Sequence, residues 1–142
     1  MDFVQYKQTF TKEALKTGYS QQNIQRCLDY AERLLLQDLP VIYNPTHLSA
    51  LVGYNKKYIK RASLYSKKFY RDFEITKKNG TKRLLSEPLP SLKEIQIWIL
   101  KNILYKIPVS PFAKAYKPHV KLTENLKFHK KQPKVFTLDL EN

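Results

Sequence analysis

The dipeptide Asn79-Gly80, placed between two runs of strand-forming residues, constrains the fold of this chain more than any other feature. The runs cover 73–78 and 81–86, and both mix β-branched or large apolar residues with polar ones. Asn-Gly is the strongest short hairpin signal, because a type I′ turn needs positive φ at both central positions. The sequence therefore predicts a β-hairpin over 73–86 with a two-residue turn.

A two-residue turn also determines which residues of the hairpin lie opposite one another. Lys78 would face Thr81 and Thr76 would face Arg83, so Lys78 and Arg83 would be diagonal neighbours on one face. Like charges held close together repel, so such a pair is typical of a site that receives an anion. A phosphate chain fits, because arginine offers a fork of donors and lysine a point charge. The alternative is an exposed edge hairpin that lysines keep soluble.

Helical patterns surround the hairpin. Ser20 is placed to cap a helix, and a turn at Gly53 separates two shorter helical stretches. Ser91 and Glu94 form a capping box that opens a strongly apolar helix over 91–106, which we expect to be buried on all sides. The sequence therefore predicts an α+β fold, with helices first and the hairpin and buried helix after them.

The charge of the chain indicates a polyanionic partner. The 142 residues include 26 Lys and Arg against 12 Asp and Glu, a net charge of +14. Basic residues alternate with aromatic ones between 54 and 73; cations follow a phosphate backbone and aromatic faces stack on bases, so this mixture suits single-stranded nucleic acid. The candidate nucleic-acid-binding residues are Tyr54, Lys56, Lys57, Tyr58, Lys60, Arg61, Lys67 and Lys68.

The same region allows two other interpretations. Its aromatic residues can fill a core while the lysines are solvated. The two short helical stretches around Gly53 also have the outline of a helix-turn-helix, which would place Lys56, Lys57 and Lys60 on duplex DNA. A plain helical pair would show the same pattern.

An apolar strand pattern near the C-terminal end presents one carboxylate. It runs from Val135 to Leu138 and is followed by Asp139. Two-metal phosphoryl transfer uses several carboxylates around ions that lie roughly 3.5–4 Å apart, and many such sites begin on a strand of this kind. Asp139 is therefore a candidate catalytic residue and metal ligand, and the alternative is an ordinary charged strand terminus.

Other features of the composition point to a cytoplasmic protein without a membrane partner. Cys27 is the single cysteine, so there is no internal disulfide, which suits a reducing compartment. No apolar run approaches the roughly 20 residues that span a bilayer. The start at Met1 lacks the basic and apolar stretches of a signal peptide.

Taken in order, these motifs resemble the fingers region of bacterial retron-type reverse transcriptases. The resemblance covers about Tyr65 to Asn142. The segments that carry it are 70–88, 92–99, 110–116, His119, Asn125, His129 and 136–141. It implies a helical N-terminal extension over 1–64, a fingers region over 65–134 with the basic hairpin and the apolar helix, and the start of a palm over 135–142.

The resemblance also implies roles for particular residues. Arg83 would grip the triphosphate of the incoming dNTP, beside Lys77 or Lys78, and the hairpin geometry above favours Lys78. Asp139 would be the first catalytic aspartate and would bind Mg²⁺, with the carbonyl of Leu140 near the metal.

The partners implied are a dNTP and an RNA template or structured non-coding RNA, and the family makes antiphage defence an expected role. The family's Tyr-Ala-Asp-Asp segment does not occur in these 142 residues. We therefore expect them not to polymerise DNA unless a missing part or a second chain supplies the rest of the palm and the thumb. The alternatives are a non-catalytic single-strand-binding module and a helix-turn-helix DNA-binding protein.

Overall fold

The computed structural model describes residues 2–115, 117–127 and 129–139, and in this part the chain is a mixture of helices and one small sheet. In chain order the elements are α1 (Phe3–Lys16), α2 (Gln21–Leu35), α3 (Pro45–Val52), α4 (Lys56–Leu64), β1 (Tyr70–Thr76), β2 (Lys82–Pro88), α5 (Pro90–Asn102) and α6 (Leu122–Leu126). Short 3-10 turns follow α4 and α5, at Ser66–Phe69 and Leu104–Lys106. The predicted α+β class is confirmed.

The chain divides into two compact units, Met1–Lys106 and Ile107–Asn142. The first unit contains α1 to α5 and the hairpin, and the second contains α6. Among the described residues, no helix is long and apolar enough to cross a membrane.

A cluster of buried apolar residues in the first unit lies where α1 packs on α2. Ala14, Ile24 and Leu28 form this core and are 7%, 5% and 2% exposed. Tyr6 and Phe10 pack against it from α1. The apolar residues of each helix recur every three or four positions, so they form one stripe that is buried when the two helices meet.

The helix ends agree in part with the sequence patterns. Ser20 caps α2 as predicted, because its hydroxyl oxygen accepts the N–H of Asn23 at 3.3 Å. Asn44 caps α3 by accepting two backbone N–H groups at the start of the helix. Gly53 ends α3 with a φ of +74°, a left-handed conformation that glycine adopts without strain.

The apolar helix predicted over 91–106 forms as α5 but is shorter and less buried. It starts at Pro90, which suits the first helical position because it lacks an N–H. Ser91 does not cap it, so the predicted capping box is wrong; its hydroxyl is bonded to that of Tyr58 instead. Ile95 is the one buried residue of α5, and Ile97 is 40% exposed. The expectation of burial on all sides is therefore wrong.

The predicted hairpin is confirmed, but its register differs by one residue from the prediction. Ile75 lies opposite Arg83 and Thr76 lies opposite Lys82, in a sheet of two antiparallel strands. The prediction placed Thr76 opposite Arg83. A shift of one residue exchanges the faces on which side chains lie, so it changes the candidate site.

The turn explains the shift. Lys77 and Thr81 close a three-residue loop over 78–80, with the N–H of Lys77 donated to the carbonyl of Thr81 at 2.8 Å and the N–H of Gly80 donated to the carbonyl of Lys77 at 2.9 Å. Gly80 has a φ of +80°, whereas Asn79 does not have positive φ. The Asn79 side-chain oxygen instead accepts the N–H and the hydroxyl of Thr81, at 3.2 and 2.7 Å. This local bonding favours a three-residue loop with glycine at its left-handed position over a type I′ turn.

The strand predicted at 135–139 does not form as a paired strand. Phe136 and Leu138 are 85% and 94% exposed. A strand is defined by hydrogen bonds to a neighbouring strand, and no neighbour for this segment is present among the described residues.

Candidate functional site

The register decides which lysine shares a face of the hairpin with Arg83. Side chains alternate between faces along each strand, so Ile75, opposite Arg83, lies on the same face as Arg83. Lys77 is two residues beyond Ile75 and its backbone continues the ladder, which puts it on that face as well. Lys78 lies in the loop. The geometric argument for Lys78 is therefore wrong, although the role of either lysine stays a prediction.

The cations at the hairpin tip differ in their partners. Lys82 is on the opposite face, and its ammonium lies 2.7 Å from a carboxylate oxygen of Glu74. Lys77, Lys78 and Arg83 are exposed, and within the part of the chain that the structure describes none of them forms an ion pair. Their positive charge is therefore not neutralised by an ion pair within the described residues, and the binding of an anion there stays a prediction.

The base of the hairpin contacts α5 through an ion pair and a hydrogen bond. Glu87 binds the guanidinium of Arg71 at 3.0 Å across the strands and lies 3.5 Å from the ammonium of Lys93 on α5. Gln96, also on α5, donates to the hydroxyl of Tyr70 at 2.8 Å. Sequence reasoning missed this cluster because its register was off by one, and in the observed register Arg71 lies directly opposite Glu87. The tip thus projects from an anchored base.

The anchoring cluster predicts a pH dependence. The hydrogen bond from Arg71, helped by the charge of Lys93, lowers the pKa of Glu87 below its usual 4.5. A lowered pKa in the folded state contributes stability that is complete above about pH 4.5 and is lost as the pH falls through the lower value. We expect an NMR titration of the Glu87 carboxyl to show this, and the Arg71→Ala variant to move its pKa up. An identical pKa in both proteins would contradict the assignment.

The two candidate tyrosines, Tyr54 and Tyr58, contact residues of α5. Tyr54 donates a hydrogen bond to the carboxylate of Glu94, which raises the pKa of Tyr54. The hydroxyls of Tyr58 and Ser91 are 2.5 Å apart, and the Tyr58 ring meets Phe69 edge-on at 5.1 Å. Phe69 is buried. For these aromatic residues the structure favours the packing interpretation over stacking on bases.

The remaining candidates are solvent-exposed cations along α4 and the turn after it. They are Lys56, Lys57, Lys60, Arg61, Lys67 and Lys68. Among the described residues none of the six forms an ion pair, and the ammonium of Lys68 lies 5.6 Å from the centre of the Tyr65 ring. Tyr65 is 56% exposed and was not in the predicted set, and it is the most exposed aromatic residue between 54 and 73.

The helix–turn–helix outline is present as a local structure. α3 ends at Gly53, and α4 begins after Asn55, whose side-chain oxygen accepts the N–H of Lys57 at 2.8 Å. Lys56, Lys57 and Lys60 lie exposed on α4. Binding of these lysines to duplex DNA stays a prediction.

The described residues do not by themselves form a magnesium site. Asp139 is exposed in the second unit. No group of three or more His, Cys, Asp or Glu side chains that could hold a metal ion is found among the described residues. The carbonyl of Leu140, predicted to lie near the metal, is outside them. A single carboxylate does not fit the several that two-metal chemistry requires.

Comparison with known proteins finds relatives of one kind. The chain is 31% identical to the retron Ec86 reverse transcriptase of Escherichia coli over 113 residues, which cover 78% of this chain and 35% of that protein. It is 30% identical to the retron Mx162 reverse transcriptase of Myxococcus xanthus over 73 residues, or 51% of this chain and 15% of that protein. No protein-family model matches the chain.

The chain thus spans about a third of the length of the Escherichia coli relative, and less of the other. The similarity to both proteins nevertheless includes at least half of this chain. A region of this chain is therefore related to retron reverse transcriptases.

Proposed function

We propose that this chain is a fingers part of an RNA-directed DNA polymerase of the retron type and binds the incoming dNTP and the RNA template. The observation that carries the proposal is the pair of exposed cations Lys77 and Arg83 on one face of an anchored hairpin. Both lack an ion-pair partner among the described residues, and they occur in a chain with retron reverse transcriptase relatives.

The chemistry of these two side chains suits a triphosphate. Arg83 offers a planar fork of N–H donors that matches two phosphate oxygens, and Lys77 adds a point charge on the same face. The Glu87–Lys93 ion pair and the Gln96–Tyr70 hydrogen bond join the hairpin base to α5, so less ordering of the hairpin would be needed when the ligand binds.

The template would follow the exposed cations of α4 and the turn after it. Lysines and arginines there bind a phosphate backbone without reading sequence, and Tyr65 offers an exposed ring for one base. The net charge of +14 adds long-range attraction to any nucleic acid.

The chemical step would require residues beyond those described. Asp139 would contribute one carboxylate to Mg²⁺, and further carboxylates would come from another segment or a second chain. The function proposed for these residues is therefore to bind and orient the nucleotide and the template. Antiphage defence would be a property of the complete system and is proposed on the family resemblance alone.

The proposal is tested by titrating the chain with dTTP, with thymidine, and with a short single-stranded RNA. We expect dTTP to bind and thymidine to bind far more weakly, because the hairpin cations contact phosphates and not the base. RNA binding should weaken steeply between 50 and 200 mM salt, as counterion release requires. Equal affinity for thymidine and dTTP, or no binding of dTTP, would overturn the nucleotide-gripping role.

A second candidate is a non-catalytic module that binds single-stranded nucleic acid. It is favoured by the six cations without ion pairs among the described residues of α4 and the turn after it. RNA binding without any binding of dTTP in the same titrations would support this module. Preference for one duplex sequence would instead support the helix-turn-helix interpretation.

A further inference from the structure

A cavity of about 270 Å³ opens among α1, α2 and the start of α3, away from the hairpin. Its apolar side is formed by Phe10 and Ala14 of α1 and Ile24 of α2. Tyr43, from the segment before α3, forms an aromatic wall. None of the residues proposed above to bind nucleotide or template lines this cavity.

The aromatic wall is held in place by hydrogen bonds. The Tyr43 hydroxyl donates to the carbonyl of Cys27 at 2.8 Å and accepts from the hydroxyl of Tyr6 at 3.0 Å. Burial raises the pKa of Tyr43, so the phenol stays neutral. The Tyr43 ring also packs against Phe10 at 5.7 Å and meets His47 edge-on at 5.3 Å. The Tyr43 ring is thus fixed in position, and its hydroxyl already bonds Cys27 and Tyr6.

The rim of the cavity carries hydrogen-bonding groups that are still available. The side-chain amide of Asn23 and the imidazole of His47 form no side-chain hydrogen bond within the described residues. Asn44 uses its carbonyl oxygen to cap α3, which leaves its NH₂ group as a donor. One carboxylate oxygen of Glu13 accepts a hydrogen bond from Lys16, and the other oxygen remains as an acceptor. Donors and acceptors therefore surround an apolar, aromatic floor.

We propose that this cavity binds a nucleobase. A flat ring with apolar faces and a polar edge matches a floor of aromatic and aliphatic side chains beneath a rim of amide, imidazole and carboxylate groups. The volume of the cavity also fits a single base, because pockets that hold drug-sized ligands have volumes of about 300 Å³ or more. A cavity slightly smaller than this accepts one heterocycle and leaves its sugar and phosphate outside.

The base has two possible sources, a free nucleoside and an unstacked base of single-stranded RNA. Recognition of RNA sequence generally uses such splayed bases, stacked on aromatic rings and bonded at their edges. The RNA source rests on the proposed function, since it requires an RNA partner. The nucleoside source does not.

The first test uses a variant that fills the cavity. Asn23 is exposed at the start of α2 and lines the cavity, so Asn23→Trp places a large ring in its mouth without removing a core residue. Gln22→Trp is the matched control, because Gln22 is the exposed neighbour that does not line the cavity. Far-UV circular dichroism confirms that both variants fold.

Each protein is titrated with adenosine, uridine and ribose 5-phosphate. We expect at least one nucleoside to bind the wild type and the Gln22→Trp variant equally, and to bind Asn23→Trp about tenfold more weakly or worse. Ribose 5-phosphate should not bind at this position, since it lacks a base. Equal nucleoside affinity of the two tryptophan variants, or no nucleoside binding by the wild type, overturns the proposal for free nucleosides.

The second test uses a single-stranded RNA that carries one 2-aminopurine, whose fluorescence rises when the base leaves its stack. We expect a rise on binding to the wild type that Asn23→Trp abolishes and Gln22→Trp retains. A rise unaffected by Asn23→Trp, or no rise, overturns the RNA source. The absence of both signals overturns the inference as a whole. Binding of dTTP at the hairpin is the part that Arg83→Ala loses and Asn23→Trp retains, so it is measured separately and decides the proposed function.

Discussion

The Arg83→Ala variant is expected to bind dTTP about 10 to 100 times more weakly than the wild type. Hydrogen bonds to charged groups contribute about 1.5–3 kcal/mol, and each 1.4 kcal/mol is tenfold in affinity. Arg83 makes no ion pair within the described residues, so its removal leaves no buried carboxylate behind and perturbs the fold little. Isothermal titration calorimetry with dTTP measures the change.

The matched control for this variant is Lys82→Ala. Lys82 is the adjacent residue and carries the same charge, but it lies on the opposite face and is paired with Glu74 at 2.7 Å. We expect its loss to weaken dTTP binding only by the small long-range effect of one charge. Arg83→Lys should be intermediate, because lysine keeps the charge and loses the fork. Equal losses in the two alanine variants would show that general charge, and not the face of the hairpin, binds the nucleotide.

The Leu28→Ala variant is expected to lower the free energy of unfolding by about 2–5 kcal/mol. Leu28 is 2% exposed and packs with Ala14 and Ile24 in the core of α1 and α2. Its truncation removes buried methyl groups and leaves a space that the neighbouring helices fill only in part. Since small domains are stable by about 5–15 kcal/mol, the variant should unfold at a clearly lower urea concentration, followed by circular dichroism.

Leu36→Ala is the corresponding control. Leu36 follows the last turn of α2 and is 80% exposed, so the same chemical change removes little buried surface. We expect a change within about 0.5 kcal/mol. If the two alanine variants unfolded at the same urea concentration, the contact between α1 and α2 would not be the main core of this unit.

The strands of the hairpin could be predicted from the local sequence, but their register could not. Its two strands and the position of its turn follow from the residues around Asn79-Gly80, and the structure confirms them. The register does not follow, because the Asn79 side chain bonds Thr81 and only Gly80 takes positive φ. The choice between two- and three-residue loops involves a few local hydrogen bonds, yet it moves every side chain to the other face.

The tyrosines show a second limit. A run of lysines and aromatic residues between 54 and 73 predicts binding of single-stranded nucleic acid, and core packing of the aromatic residues is the alternative. The hydroxyls of Tyr54 and Tyr58 are bonded within the fold because α5 presents Glu94 and Ser91 to them, 40 and 33 positions later in the chain. Tyr65 has no such neighbour among the described residues and stays exposed. Spacing along the chain contains no information about these long-range contacts.

The sequence by itself determined the α+β class, the position of the hairpin, the start of α2, the turn between α3 and α4, and the basic character of the surface, because these depend on local periodicity, turn residues and composition. Only the tertiary structure decided that Lys77, and not Lys78, shares a face with Arg83. It also decided that Glu87 anchors the hairpin to α5 and that an aromatic cavity lies beside Tyr43. The face that Lys77 shares with Arg83 depends on a few hydrogen bonds in the turn that favour one loop length over another. The contact with α5 and the cavity depend on which residues of different elements meet when the chain folds, and the free energy of that packing is not readable from any one segment.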